Sequence, residues 1–120
     1  MTKVMMIGYK KCSTCTGVER MLQERGIGYD YREIDKENPT VEELKQWQQK
    51  SGLPLKRFFN NSGLIYRGMG LSKKLPTMSE DEQFELLATD GKLVKRPIVL
   101  TSDKIYVGPD VKKWLTAMKG

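Results

Sequence analysis

The regular pattern of the chain begins at Val4-Met5-Met6-Ile7, four apolar residues closed by Gly8, which is the length and composition of a buried strand. After Tyr9-Lys10-Lys11-Cys12 the spacing becomes helical. Val18, Met21 and Leu22 recur at i, i+3 and i+4 and predict a helix from about Ser13 or Thr14 to Arg25, stopped by Gly26. Tyr29 to Ile34 alternates as a half-buried strand does. Strand, helix and strand in close succession is the order of a parallel βαβ unit.

A helical middle follows. Thr40-Val41-Glu42-Glu43 is a capping box, in which the Thr40 hydroxyl accepts from the Glu43 amide and the Glu43 carboxylate reaches back. The helix it opens carries Val41, Leu44 and Trp47 on one stripe and is expected to end near Ser51-Gly52. A short helical piece is expected around Leu55 to Phe59, and Asn60-Asn61-Ser62-Gly63 is turn chemistry. Residues 64–78, interrupted by Gly68, Gly70 and Pro76, are expected to be irregular with room for one helical turn. Ser79-Glu80-Asp81-Glu82 repeats the capping signal ahead of Phe84, Leu86 and Leu87, and Asp90-Gly91 ends that helix. Pro97 to Thr101, then Ser102-Asp103, then Lys104 to Val107 predicts a hairpin with a turn of two or three residues. Gly108-Pro109-Asp110 introduces a last helix with Val111, Trp114, Leu115 and Met118 on its inner stripe.

No linker, repeat or low-complexity stretch divides these elements, so a single domain spanning residues 1–120 is expected. A βαβ unit and a ββα unit sharing one mixed four-stranded sheet form an α/β fold on the thioredoxin-like plan, here with a helical insertion at about residues 37–90. Periodicity alone leaves other α/β sandwiches open.

Composition narrows the chemistry. A chain of 120 residues, 38% hydrophobic and 30% charged, is globular in character, and it contains no histidine. Imidazole general bases, Cys-His pairs and histidine metal ligands are therefore excluded. Two cysteines cannot alone complete a four-ligand zinc site, and no metal site is expected. No apolar run reaches the roughly 20 residues of a membrane span, and MTKVMMIGYKKCSTC lacks a signal-peptide core. The expected address is the cytoplasm, without a membrane partner. A net charge of +6 favours acidic partners, but no block of like charge is interleaved with aromatics, so direct nucleic-acid binding is not expected.

Cys12-Ser13-Thr14-Cys15 falls where the first strand gives way to the first helix. Amides in an opening helical turn have no intrahelical partner, and with the helix dipole they favour a thiolate placed there. Lys10 and Lys11 are expected to act in the same direction. Two cysteines separated by two residues can close a small disulfide ring, and beside a βαβ pattern this spacing points to redox chemistry. The alternatives are half of an intermolecular metal site or two inert buried thiols. The loop position, the lysines and the small polar Ser13-Thr14 favour exposure of the pair. The second feature is Lys95-Arg96-Pro97-Ile98. A proline opening a strand after a loop is where a thioredoxin-like fold places a cis peptide facing the active-site loop, which would bring the Arg96 fork near the thiolate. A solvated surface arginine is the alternative.

These segments carry a resemblance. Gly8-Tyr9-Lys10-Lys11-Cys12-Ser13-Thr14-Cys15, Asn38-Pro39-Thr40-Val41-Glu42-Glu43-Leu44, and Lys95-Arg96-Pro97-Ile98-Val99 with Val107-Gly108 resemble the arsenate-reductase-like (ArsC/Spx) family of thioredoxin-fold proteins, over essentially the whole length. The resemblance implies Cys12 as nucleophile, Cys15 as the second redox cysteine of Spx-like members, and Arg96 as the arginine before the proline. Lys11, Ser13, Thr14 and Pro97 would complete the binding loop. Arsenate reductases of this kind bind their anion with three arginines. The other two positions fall here at about Asn60 and Val107, with Arg57 and Arg67 nearby in sequence, so arsenate reduction itself is not expected. The expected activity is that of a cytosolic thiol–disulfide redox protein. It would act as a monomer on a small oxyanion or oxidised thiol, with no bound cofactor and a thiol reductant such as glutathione or thioredoxin as electron donor. The contrasting implication is an Spx-like redox-sensing transcriptional regulator that binds the C-terminal domain of the RNA polymerase α subunit. Gly52 would match a contact position of that branch, although it also suits a helix C-cap. The chain ends at Gly120, without the basic extension such regulators tend to carry.

Overall fold

In the computed structural model, β1 (Met5–Gly8) leads through α1 (Ser13–Glu24) to β2 (Asp30–Glu33), and then come α2 (Val41–Ser51), α3 (Leu64–Gly68), α4 (Leu71–Lys74) and α5 (Glu80–Thr89). The chain returns through β3 (Ile98–Leu100) and β4 (Ile105–Val107) to α6 (Pro109–Ala117), with short 3-10 turns at Leu55–Phe58, Leu75–Thr77 and Gly91–Leu93. The structure describes residues 4–61 and 63–117. Ser62 of the expected turn and Met118 of the last helical stripe lie outside the described residues, as do residues 1–3, 119 and 120. Among the described residues no helix is long and apolar enough to cross a membrane.

The four strands form one mixed sheet in the order β2-β1-β3-β4. β1 runs parallel to β2, as the α1 crossover requires, and antiparallel to β3, which pairs antiparallel with β4. The hairpin turn is Ser102-Asp103. Thr101 donates its amide to the Lys104 carbonyl at 2.8 Å, and its hydroxyl accepts the Lys104 amide at 3.0 Å. This is the thioredoxin-like α/β architecture expected from the pattern.

The chain divides into two compact units, Met1–Glu33 with Arg96–Gly120, and Ile34–Lys95. In the first, Val4, Met6 and Val99 of the sheet region are buried in one cluster with Cys15, Val18 and Leu22 of α1 and Val111 and Leu115 of α6. The i, i+3, i+7 spacing of Cys15, Val18 and Leu22 makes that stripe. Arg25 donates through Nε to the Leu115 carbonyl at 3.0 Å, satisfying one of the carbonyls that the last turn of a helix leaves open. Trp114 stacks on Tyr106 with centroids 4.7 Å apart.

In the second unit both capping boxes form as the sequence dictates, with Thr40 accepting from the Glu43 amide at 3.1 Å and Ser79 from the Glu82 amide at 3.2 Å. Leu44, Trp47, Phe84 and Leu87 are the buried residues of α2 and α5. Gly52 closes α2 in the left-handed conformation (φ 71°), donating to the Gln48 carbonyl at 3.1 Å, so its place as a C-cap is explained by backbone geometry alone. Residues 64–78 are more ordered than expected: two short helices and a 3-10 turn replace the irregular stretch. Gly70, at φ 63°, lets the chain reverse between α3 and α4, and burial of Leu71 and Leu75 overrides the weak local propensity. Gly91 is required by close approach. Its amide donates to Asn38 Oδ1 at 3.0 Å, and a Cβ there would run into the Ile34 carbonyl. Gly91→Ala is expected to cost about 1–3 kcal/mol, read as a lower urea midpoint at unchanged slope.

Candidate active site

The tight turn from β1 to α1 is built around Cys12. Its amide donates to the Tyr9 carbonyl at 3.0 Å, and its own carbonyl accepts the Thr16 amide at 3.1 Å and the Thr16 hydroxyl at 3.2 Å. Extended backbone at Cys12 (φ −95°, ψ 117°) makes it the N-cap of α1. The side chain is half-buried and the thiol is free. Ser13 and Thr14 follow as the first helical residues, with exposed side chains.

Cys15 lies one turn further on, facing inward and fully buried. This differs from the exposed pair expected from the loop position: residue 15 belongs to the apolar stripe of α1, and that periodicity outweighs the polarity of Ser13 and Thr14. The Tyr9 amide donates to Cys15 Sγ at 3.5 Å.

The two thiols are driven apart in acidity. Burial alone would raise Cys12, but the Cys15 amide, the Cys15 thiol, the Thr14 amide and the positive charge of Arg96 outweigh it and hold Cys12 below the ordinary thiol value. No short capping hydrogen bond joins the Cys12 side chain to these amides. Their dipoles nonetheless converge on the sulfur and favour its ionised form. Cys15 goes the other way: burial pushes it up to about 12, and its hydrogen bond to Cys12 and the charge on that sulfur add to the rise. Cys12 is thus the more acidic thiol of the pair, and Cys15, which holds its proton more tightly, faces it from the next turn.

Arg96 and Pro97 belong to the same compact unit as the cysteines. The Arg96–Pro97 peptide is cis, and the Pro97 carbonyl accepts the Gly108 amide at 2.8 Å. The Arg96 guanidinium lies 4.9 Å from the centroid of the Tyr9 ring and acts electrostatically on both sulfurs. The lysines behave differently from the expectation. Lys10 Nζ sits 3.9 Å from the centroid of the Tyr31 ring and 3.8 Å from Glu19 Oε2, and Lys11 is exposed in the turn. The cation that bears on Cys12 is Arg96. Of the two remaining positions aligned with anion-binding arginines, Val107 is buried in β4 opposite Ile98, and Asn60 donates its amide to the Leu93 carbonyl at 2.7 Å. Tyr9 was not singled out by the sequence, although it serves both Arg96 and Cys15. Its position in the turn preceding the first cysteine was the only signal for it.

Comparison with known proteins agrees with the architecture. An ArsC-family-related protein from Bacteroides fragilis superposes with a TM-score of 0.89 at 50% identity, covering 94% of this chain and 95% of that one. The uncharacterized protein YusI of Bacillus subtilis is 49% identical over 83% of this chain and 85% of its own length. An arsenate reductase of Neisseria meningitidis is 28% identical, covering 90% of this chain and 92% of its own, and the global transcriptional regulator Spx of Staphylococcus aureus is 23% identical, covering 81% and 72%. With residues 7–117 matching the family profile, the chain belongs to the ArsC family.

Proposed function

We propose that the protein is a cytoplasmic thiol–disulfide redox protein that works as a monomer through Cys12 and Cys15. The observation that carries this reading is the placement of the pair: Cys12 is half-buried at the N-cap of α1, where the Cys15 and Thr14 amides and Arg96 favour its ionised form, while Cys15 is buried one turn on, where its proton is held more tightly. The Cys12 thiolate attacks one sulfur of a disulfide substrate, forming a mixed disulfide and expelling the other half as a thiolate. Cys15 gives its proton to solvent and attacks Cys12 Sγ, forming the Cys12–Cys15 bond and releasing the second half. Two electrons from a thiol reductant, glutathione or the dithiol of thioredoxin, restore both thiols. Arg96, Lys11 and the amides after Ser13 hold a negatively charged substrate, with Pro97 shaping the loop. Arsenate is not the substrate proposed, because Asn60 and Val107 stand where two further guanidiniums would be needed, and each charge-assisted hydrogen bond lost forfeits about 1.5–3 kcal/mol.

Reduced protein mixed with one equivalent of oxidised glutathione tests the reading. Loss of both protein thiols, release of two glutathiones and a protein mass lower by two hydrogens are expected. Persistence of both thiols would overturn it.

Kinship with the regulator Spx favours a second reading, in which the same disulfide is a signal read by the RNA polymerase α subunit. A complex with the α C-terminal domain that depends on redox state, without turnover, would move the assignment there. Absence of a complex in both states removes it.

A further inference from the structure

Tyr31 occupies β2 in register with Met6 of β1, which is itself in register with Val99 of β3. Met6 and Val99 share the buried cluster with Cys15, and Tyr31 packs against it. The Tyr31 hydroxyl oxygen is sealed from solvent and has no hydrogen-bond partner. Tyr29, on the same face of the chain, provides the contrast: its hydroxyl donates to Glu19 Oε1 at 2.9 Å and accepts from Gln23 at 3.2 Å. A buried hydroxyl without a partner is costly, and phenylalanine would fill the space of the ring without that cost.

Gly8 locates the orphan. A Cβ at Gly8 would lie 2.8 Å from the Tyr31 hydroxyl oxygen and 3.2 Å from Cys15 Sγ, so both atoms crowd one point against the β1 backbone. A residue without a side chain leaves that point, which the Met6 methyl also borders, open to both atoms.

We infer that Tyr31 is a hydrogen-bond donor to the Cys15 sulfur when that sulfur ionises to resolve a mixed disulfide on Cys12. This rests on the redox reading above. In the resolving step the Cys15 proton leaves to solvent, and its electron pair forms the Cys12–Cys15 bond. The bond from Cys12 to the substrate sulfur breaks, and the released half departs as a thiolate. Tyr31 keeps its own proton throughout and supplies a second donor to the buried thiolate, beside the Tyr9 amide. The groups facing the hydroxyl agree with that role. Burial together with the negative charge on Cys15, Glu19, Glu33 and Cys12 holds Tyr31 protonated far above the ordinary phenol range. Lys10 Nζ, 3.9 Å from its ring centroid, is anchored in turn by Glu19.

The test uses dithiobis(nitrobenzoate), whose aromatic thiol is coloured on release. Attack by Cys12 liberates a first equivalent and resolution by Cys15 a second. In the Tyr31→Phe protein the first release is expected at the rate and amplitude of the unaltered protein, and an unchanged urea midpoint reports an intact fold. The second is expected to slow about tenfold and to need about one pH unit more to reach the same rate, as loss of a hydrogen bond to a charged sulfur predicts. Fluorotyrosine at position 31, a stronger donor, is expected to speed the second release. Equal second phases in all three proteins would overturn the role of Tyr31 while leaving the redox reading intact. Release of a single equivalent by the unaltered protein would overturn both.

Discussion

The Cys12→Ser protein is expected to lose thiol–disulfide turnover by on the order of 10³-fold or more. The same helix terminus that favours a thiolate does nothing useful for serine, whose hydroxyl remains protonated throughout the neutral range and is a poor attacking group toward sulfur. The pH profile of the unaltered protein is the second half of this prediction. Alkylation of Cys12 depends on its thiolate, so its rate rises with pH and levels off above the folded pKa. Because the amides of Cys15 and Thr14 and the charge of Arg96 outweigh burial, the midpoint of that rise lies below the ordinary thiol value of 9.0. Arg96→Ala removes the cation and is expected to shift the rise to higher pH. A profile centred at or above the ordinary value would take away the physical basis of the nucleophile.

The Cys15→Ala protein is expected to stall after the first attack. Cys12 would still form a mixed disulfide, now resolved only by external thiol, and turnover would fall on the order of 10²-fold as the intramolecular advantage is lost. Accumulation of a protein–glutathione adduct, read by mass, distinguishes this from loss of the nucleophile. Stability provides an independent readout. The folded state keeps the Cys15 proton up to about 12, whereas an exposed thiol releases it near 9.0. The stability due to this raised pKa is therefore complete below about pH 9 and is lost as pH climbs toward the folded value, at up to about 1.4 kcal/mol per unit. Tyr31, also raised, adds to the fall above its ordinary value of 10.0. Cys12, lowered, acts oppositely: its contribution grows as pH rises through its folded pKa toward 9.0. Urea midpoints of the reduced protein should thus drop more steeply above about pH 9 than those of Cys15→Ala. Parallel curves would mean that Cys15 ionises freely in the folded state.

Local chemistry made much of this protein legible in the chain itself. Thr40 and Ser79 announce their helices because a capping box is satisfied within four residues. Gly52 ends α2 because the left-handed conformation is cheapest there for glycine. The cysteine pair is placed at a helix start by the apolar run before it and the periodic stripe after it, and the order of strands and helices narrows the sheet to an α/β plan.

Other features depended on residues distant in sequence meeting in space. Cys15 is buried because α1 turns the stripe it shares with Val18 and Leu22 onto Val99, Val111 and Leu115, far along the chain. Lys10 is drawn to the Tyr31 ring and Glu19 instead of to the thiolate beside it in sequence, while Arg96, from the other end of the chain, supplies the charge. Residues 64–78 fold further than their glycines suggest because Leu71 and Leu75 find a core. Outside residues 64–78, the sequence by itself determined which segments are helices and strands and which sulfur stands at a helix terminus, since those depend on neighbours a few residues apart. Tertiary structure alone decided which sulfur is buried, which cation tunes the other, and that a tyrosine hydroxyl waits beside them, since burial and charge act through space and not along the chain.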